Sequence, residues 1–217
     1  MKLDIKICGL KTEEAVDHAV ALGATHIGFI FFQKSPRHIE PADAGRLADR
    51  VRGKARIVSV SVDADNDDLD EIIDLIRPDM LQLHGHESPE RVLTLKAVTG
   101  LPVIKALSIQ DADDLRKIEA YEGIANRFLF DAKAPKNSEL PGGNGVSFDW
   151  RLLAGLDPSV DYFLSGGLNK DNVAEALAIV RPPGIDVSSG VESSPGVKDL
   201  KTMDAFFAAV RQAMQAA

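Results

Sequence analysis

The sequence predicts an α/β fold, a single-domain (β/α)8 TIM barrel spanning residues 1–217, and three observations carry that expectation. Short β-rich runs alternate with amphipathic helical stretches along the whole chain, and eight such runs can be counted. Parallel strands need a crossover between them, so an alternating chain of this kind builds a parallel sheet. The turn after the first run, Cys8-Gly9-Leu10-Lys11-Thr12, lacks the Gly-x-Gly-x-x-Gly of an open dinucleotide-binding sheet, which favours closure into a barrel.

The predicted strands are Asp4–Cys8, His26–Phe31, Arg56–Val62, Met80–His84, Val103–Leu107, Arg127–Asp131, Tyr162–Ser165 and Ile185–Ser188. Several are nearly continuous in Val, Ile, Leu and Phe, as expected of parallel strands buried on both faces. Between them, Leu69, Ile72, Ile73 and Ile76 repeat at helical spacing, as do Leu200, Met203, Phe207, Val210 and Met214 in the last helix. Thr12 before Glu13-Glu14 and Ser88 before Pro89-Glu90 read as helix starts, a hydroxyl accepting from first-turn amides that acids or proline follow. Ala132–Ser147 stands apart as a Gly/Pro/Asn-rich loop after the sixth strand, long enough to be a lid.

Composition bounds the function. A net charge of −8 argues against nucleic acid or an anionic membrane as partner. One cysteine rules out an internal disulfide and supplies no Cys-x-x-Cys for zinc. Neither a signal-peptide core nor an apolar run of about 18 residues is present, so a cytoplasmic location is expected. The apolar stripe of the last helix is accounted for by packing, so monomer and homodimer both fit.

In a barrel of this kind the site lies at the C-terminal ends of the strands. Those ends carry Cys8, the Phe31–Arg37 loop, Asp63 and Asp65, His84, Lys105, Asp131, Ser165-Gly166-Gly167 and Ser188-Ser189-Gly190. The glycine turns Gly166-Gly167 and Ser189-Gly190 follow strands seven and eight, where backbone amides of this fold cradle phosphate. Cys8 ends the first strand, and Lys6 shares its parity, so a cation inside the barrel is expected to favour thiolate. Asp131 ends an apolar strand; desolvation there favours a neutral carboxyl able to act as an acid. Arg37 offers a planar fork for a substrate carboxylate. His84 and His86 form a His-x-His pair with no third ligand at hand, so His84 is expected to line the pocket or sit satisfied in the core rather than bind metal.

Taken together, Lys6-Ile7-Cys8-Gly9, Ser35-Pro36-Arg37-His38-Ile39, Gln82-Leu83-His84-Gly85, Phe130-Asp131, Gly142-Gly143-Asn144-Gly145, Phe148-Asp149-Trp150, Leu164-Ser165-Gly166-Gly167-Leu168 and Asp186-Val187-Ser188-Ser189-Gly190-Val191-Glu192 resemble the phosphoribosylanthranilate isomerase family of tryptophan biosynthesis. The resemblance implies an Amadori rearrangement of a phosphorylated sugar without metal or organic cofactor. It further implies Asp131 as general acid, Cys8 as general base, Arg37 at the anthranilate carboxylate, and Gly166, Gly167, Ser189 and Gly190 at the phosphate. Two positions depart from the family's usual residues: Asn144 and Lys11 each stand where threonine is common.

Alternatives remain at this level. Indole-glycerol-phosphate synthase would call for lysines and glutamates at strand ends, and only Lys105 is available. A ribulose-phosphate epimerase would want paired acids and metal-binding histidines. A non-catalytic phosphate-binding barrel would need neither Cys8 nor Asp131.

Overall fold

Eight parallel strands close on themselves in the computed structural model, which describes residues 3–133, 142, 145 and 147–216. They are β1 (Asp4–Cys8), β2 (His26–Phe31), β3 (Arg56–Ser61), β4 (Met80–Leu83), β5 (Val103–Ile109), β6 (Arg127–Ala132), β7 (Tyr162–Leu164) and β8 (Gly184–Val187). Neighbours in sequence pair in parallel, and β1 returns to β8 with Lys6 opposite Asp186 and Ile7 opposite Val187. The predicted ends shift slightly. Strands β5 and β6 run on together, pairing Ser108 with Asp131 and Ile109 with Ala132. Strands β3, β4, β7 and β8 stop one residue early, which releases Val62, His84, Ser165 and Ser188 into the loops.

The outer layer comprises α1 (Glu13–Leu22), α2 (Pro41–Val51), α3 (Asn66–Ile76), α4 (Pro89–Thr99), the short α5 (Lys117–Tyr121), α6 (Val173–Val180) and α7 (Leu200–Ala216). Predicted caps form: Thr12 Oγ1 accepts from the Ala15 amide at 3.3 Å and Ser88 Oγ from Arg91 at 3.2 Å. Among the described residues between β6 and β7, the crossover carries a 3-10 turn, Trp150–Gly155. After β8 a 3-10 turn, Ser189–Val191, leads into an antiparallel hairpin of β9 (Glu192–Ser194) and β10 (Val197–Lys198). No helix among the described residues is long and apolar enough to cross a membrane.

Strand parity divides the buried residues into two layers. Outward side chains such as Ile7, Ile27, Phe29 and Phe130 meet the helices in the main core. Inward ones, Cys8, Val58, Val60, Met80, Ile104, Ala106, Leu129 and Phe163, fill the barrel. Phe163 forms part of the barrel's floor. The His26 ring meets it edge-on at 5.0 Å, and the Arg127 guanidinium lies 4.3 Å from its centre. Gly184 makes room for this stack, since a Cβ there would come within 2.6 Å of the Phe163 ring. Arg127 is held in turn by Asp4 at 2.8 Å and Asp161 at 2.7 Å.

Buried His26 gives the fold a pH dependence. Desolvation, against a smaller opposing pull from Asp4, pushes its pKa down to about 4, and Arg127, Lys6 and Arg56 add to the depression. The unfolded chain, whose histidine titrates near about 6.5, binds the proton first, so stability is full above that value and declines as pH falls towards 4. Urea titrations should show a loss on the order of a few kcal/mol across this window. His26→Leu should flatten it; an equally steep decline in the variant would assign the acid sensitivity to other groups.

Candidate active site

At the C-terminal ends of the strands a cleft opens to solvent, where ligands of this fold bind. Its lining includes Cys8, Arg37, Gln82, His84, Asp131, Gly167 and Ser189. The structure therefore brings together residues from β1, β2, β4, β6, β7 and β8 that lie far apart in the chain.

Cys8 is buried, 4 % exposed, and faces inward at the end of β1. Space for its sulfur comes from Gly28 on the neighbouring strand, where a Cβ would approach Sγ to 2.9 Å. Lys6 does point into the barrel below it, as parity predicts, but its Nζ is already paired with Asp186 Oδ1 at 2.8 Å. The expected thiolate bias is thereby corrected. Burial pushes the Cys8 thiol up, and although Lys6 and Lys198 pull the other way, Asp186 offsets part of their field. The resting group is a thiol. Asp186 was legible in principle: an inward acid on the last strand of a closed barrel must lie beside the first strand.

Asp131 is 6 % exposed, and its Oδ1 accepts from the Ala132 amide at 2.9 Å. Its other oxygen, Oδ2, faces His84 Nε2 at 3.5 Å. On the far side of that ring, the side-chain amide of Gln82 lies 3.0 Å from His84 Nδ1. His84 thus lines the pocket beside Asp131, and neither its Nε2 nor buried Gln82 Oε1 has a hydrogen-bond partner among the described residues. Above the pair lies Gly142. A Cβ there would come within 2.4 Å of Asp131 Oδ2 and 2.7 Å of His84 Nε2, so backbone can lie this close to the acid only with glycine at this position. Asn144 lies outside the described residues.

Arg37 reaches the cleft, as the sequence expectation had it, with part of its fork engaged by the protein itself. Nε and Nη2 donate to Glu192 Oε1 and Oε2 at 2.8 and 2.9 Å, and the residue is 4 % exposed. Its stem packs on Gly9, where a Cβ would meet Cδ at 2.9 Å and the backbone φ is +76°. Lys198 Nζ also binds Glu192 Oε1, at 2.7 Å. Burial opposes the charge on Glu192, yet Arg37 and Lys198 together hold its carboxyl below the usual range. Neither Glu192 as a partner of Arg37 nor Lys198 was predicted, because their meeting depends on the β9–β10 hairpin. Lys11, the departure noted in the sequence, donates to the Pro36 carbonyl at 2.8 Å and so ties the first loop to the Arg37 loop.

The glycine turns lie where the sequence put them. Gly166 and Gly167 have φ of +83° and +67°, backbone that favours glycine. Gly167 and Ser189 line the cleft, whereas Gly166 and Gly190 are absent from its wall and act by close packing. A Cβ on Gly190 would strike the Leu168 carbonyl at 1.9 Å, so the loops after β7 and β8 can lie back to back. The side-chain amides of Asn169 and Asn172 donate to the Gly167 carbonyl at 3.3 and 3.0 Å, which keeps this oxygen occupied and away from an incoming anion.

Other candidates fall outside. Lys105 has outward parity and donates to Glu87 and to the Leu83 and Gly85 carbonyls behind the sheet. Asp65 caps α3 through the Asp68 amide. Asp63 accepts from His86 Nδ1 at 3.1 Å, and His86 is exposed, so the two histidines of the His-x-His pair face different surroundings.

Comparison with known proteins agrees with this geometry. A family model described as N-(5'phosphoribosyl)anthranilate (PRA) isomerase matches residues 5–209. The N-(5'-phosphoribosyl)anthranilate isomerase of Sinorhizobium fredii is 71 % identical over 213 residues, covering 98 % of this chain and 95 % of the relative. The crystal structure of phosphoribosyl anthranilate isomerase from Thermotoga maritima superposes with a TM-score of 0.86 at 32 % identity, over 97 % of this chain and all of that one. A phosphoribosyl anthranilate isomerase solved with reduced 1-(o-carboxyphenylamino)-1-deoxyribulose 5-phosphate gives 0.83 at 31 % identity, over 97 % and 100 % of the two chains. With inward strand-end residues and paired glycine turns on one closed barrel, this chain belongs to the N-(5'-phosphoribosyl)anthranilate isomerase family.

Proposed function

We propose that the chain converts N-(5'-phosphoribosyl)anthranilate to 1-(2-carboxyphenylamino)-1-deoxyribulose 5-phosphate, the Amadori step of tryptophan biosynthesis, with Asp131 as general acid and Cys8 as general base. The observation that carries this is one cleft lined by both Cys8 and Asp131, with Arg37, Gly167 and Ser189 also in its lining. An aldose-to-ketose isomerisation needs an acid and a base held on one substrate, and anchors for its two anionic ends.

In this scheme the Asp131 carboxyl gives its proton to the furanose ring oxygen. The C1–O bond breaks as the nitrogen lone pair forms a C1=N bond, opening the ring to a protonated Schiff base. His84 Nε2, 3.5 Å from Oδ2, lies beside the carboxylate that Asp131 becomes in this step. The Cys8 thiolate then takes the C2 proton, and its electron pair moves to form the C1=C2 enolamine while the iminium nitrogen is neutralised. Tautomerisation of the C2 hydroxyl gives the ketone. The glycine turns hold the phosphate through backbone amides. Arg37 engages the anthranilate carboxylate through N–H groups that Glu192 does not occupy.

Cys8→Ala and Asp131→Asn should each lower kcat by about 10²-fold or more while the fold and phosphate binding persist. Near-normal turnover of freshly prepared phosphoribosylanthranilate in either variant, followed by fluorescence, would overturn the assignment. Because burial holds the thiol up and the base must be thiolate, kcat/KM should rise with pH into the alkaline range. A profile already flat at neutral pH would remove Cys8 as the titrating base. Gly142→Ala should cost roughly tenfold to a hundredfold in kcat by displacing Asp131 and His84; unchanged kcat would show that the loop does not close over the acid during turnover.

A further inference from the structure

The Arg37–Glu192–Lys198 cluster is buried beside the cleft, yet proton transfer as derived above uses none of its members. Glu192 and Lys198 are cross-strand partners in the β9–β10 hairpin, which sets the two side chains next to each other. The hairpin's turn closes on the same acid, since the Gly196 amide donates to Glu192 Oε2 at 3.2 Å. That turn also abuts the Arg37 loop: a Cβ on Gly196 would lie 2.3 Å from the Pro36 carbonyl. Lys198 Nζ has further acceptors in Ser188 O at 2.9 Å and Ser188 Oγ at 3.3 Å, and Ser188 Oγ donates to the Cys8 carbonyl at 3.0 Å. One hydrogen-bonded network therefore runs from the guanidinium to the backbone of the proposed base.

Charge decides what this network is for. Arg37 and Glu192 alone would form a neutral pair, and an incoming carboxylate would feel Glu192 as much as Arg37. Lys198, with only 2 % of its side chain exposed, cannot itself meet a ligand, but it restores a net charge of about +1 to the cluster. The bidentate grip meanwhile fixes the guanidinium plane, so that little side-chain freedom is left to lose on binding.

We propose that Glu192 and Lys198 are positioning residues for carboxylate recognition: Glu192 locks Arg37 in one orientation and Lys198 offsets the charge of Glu192, so that the site selects an anionic aryl amine over a neutral one. This rests on the proposed function only in taking the anthranilate carboxylate as the partner of Arg37. A hairpin that merely stapled the loop would weaken all ligands alike; a positioning role weakens only those bearing the carboxylate.

The test is calorimetric binding of reduced 1-(o-carboxyphenylamino)-1-deoxyribulose 5-phosphate and of the same compound without its carboxylate. The wild-type chain should prefer the carboxylated ligand by about tenfold or more. Glu192→Gln and Lys198→Met should each reduce that ratio about tenfold while the Kd of the decarboxylated ligand stays within about twofold. Glu192→Asp, which keeps the charge, should retain part of the preference. An unchanged ratio, or parallel weakening of both ligands, overturns the proposal, as does a wild-type chain with no preference. Should Glu192→Gln fail to fold, the ratio in Lys198→Met and Glu192→Asp decides. Turnover of phosphoribosylanthranilate, measured on the same wild-type preparation, tests the isomerase assignment separately, because the binding ratio does not depend on catalysis.

Discussion

Inside the barrel, at the seam where the first and last strands meet, the ammonium of Lys6 is paired with the carboxylate of Asp186. Both side chains are removed from water, and an ion pair so placed is a weak source of stability, because desolvation offsets most of the attraction. Loss of either partner would still cost about 3–5 kcal/mol, since the other charge would remain buried alone. The pair therefore holds β1 and β8 in register. Cys8 lies one inward position above Lys6, and Ser188 one above Asp186, so the seam also fixes the proposed base and the start of the proposed phosphate loop. Moving the register by one residue would turn Cys8 into the helix layer.

Much of this architecture was legible in the chain itself. Buried strands announced themselves as apolar runs, and Thr12 and Ser88 marked helix starts because a hydroxyl before an acid or proline has few other roles. Cys8, Asp131 and the glycine turns were legible because the fold assigns strand ends to chemistry. What escaped was set by long-range closure. Gly28 matters only once β2 lies beside Cys8, and Gly142 only once a loop folds over Asp131. Glu192 and Lys198 become partners of Arg37 only through a hairpin too short to stand out in sequence, and 155 residues separate Glu192 from Arg37. The thiolate expectation failed for a related reason: parity located Lys6 correctly, but parity on one strand says nothing of the counter-charge across the seam.

The two sets of charges differ in kind. Lys6 and Asp186 neutralise each other within the barrel and leave the thiol in a poorly solvated setting. Arg37, Glu192 and Lys198 form an odd-numbered group that stays positive. One site can thus keep a thiol uncharged at rest and still offer basic groups to an anion nearby, because the two demands are met by separate networks on separate elements. Ser188 is the bond between them, receiving from Lys198 and donating to the backbone of Cys8.

Behind the sheet, Lys105 clasps Glu87 and two carbonyls of the loop that carries His84, and Glu87 in turn accepts from the amides of Asp63 and Gly85. This clasp faces the helices and never meets the cleft. The corner that orients His84 is thus anchored from the outside, by groups no ligand can reach. A descendant or designed relative can therefore exchange the side chains that project inward from β4 and its neighbours without undoing the loop that holds them. The scaffold and the specificity of this corner are free to diverge independently.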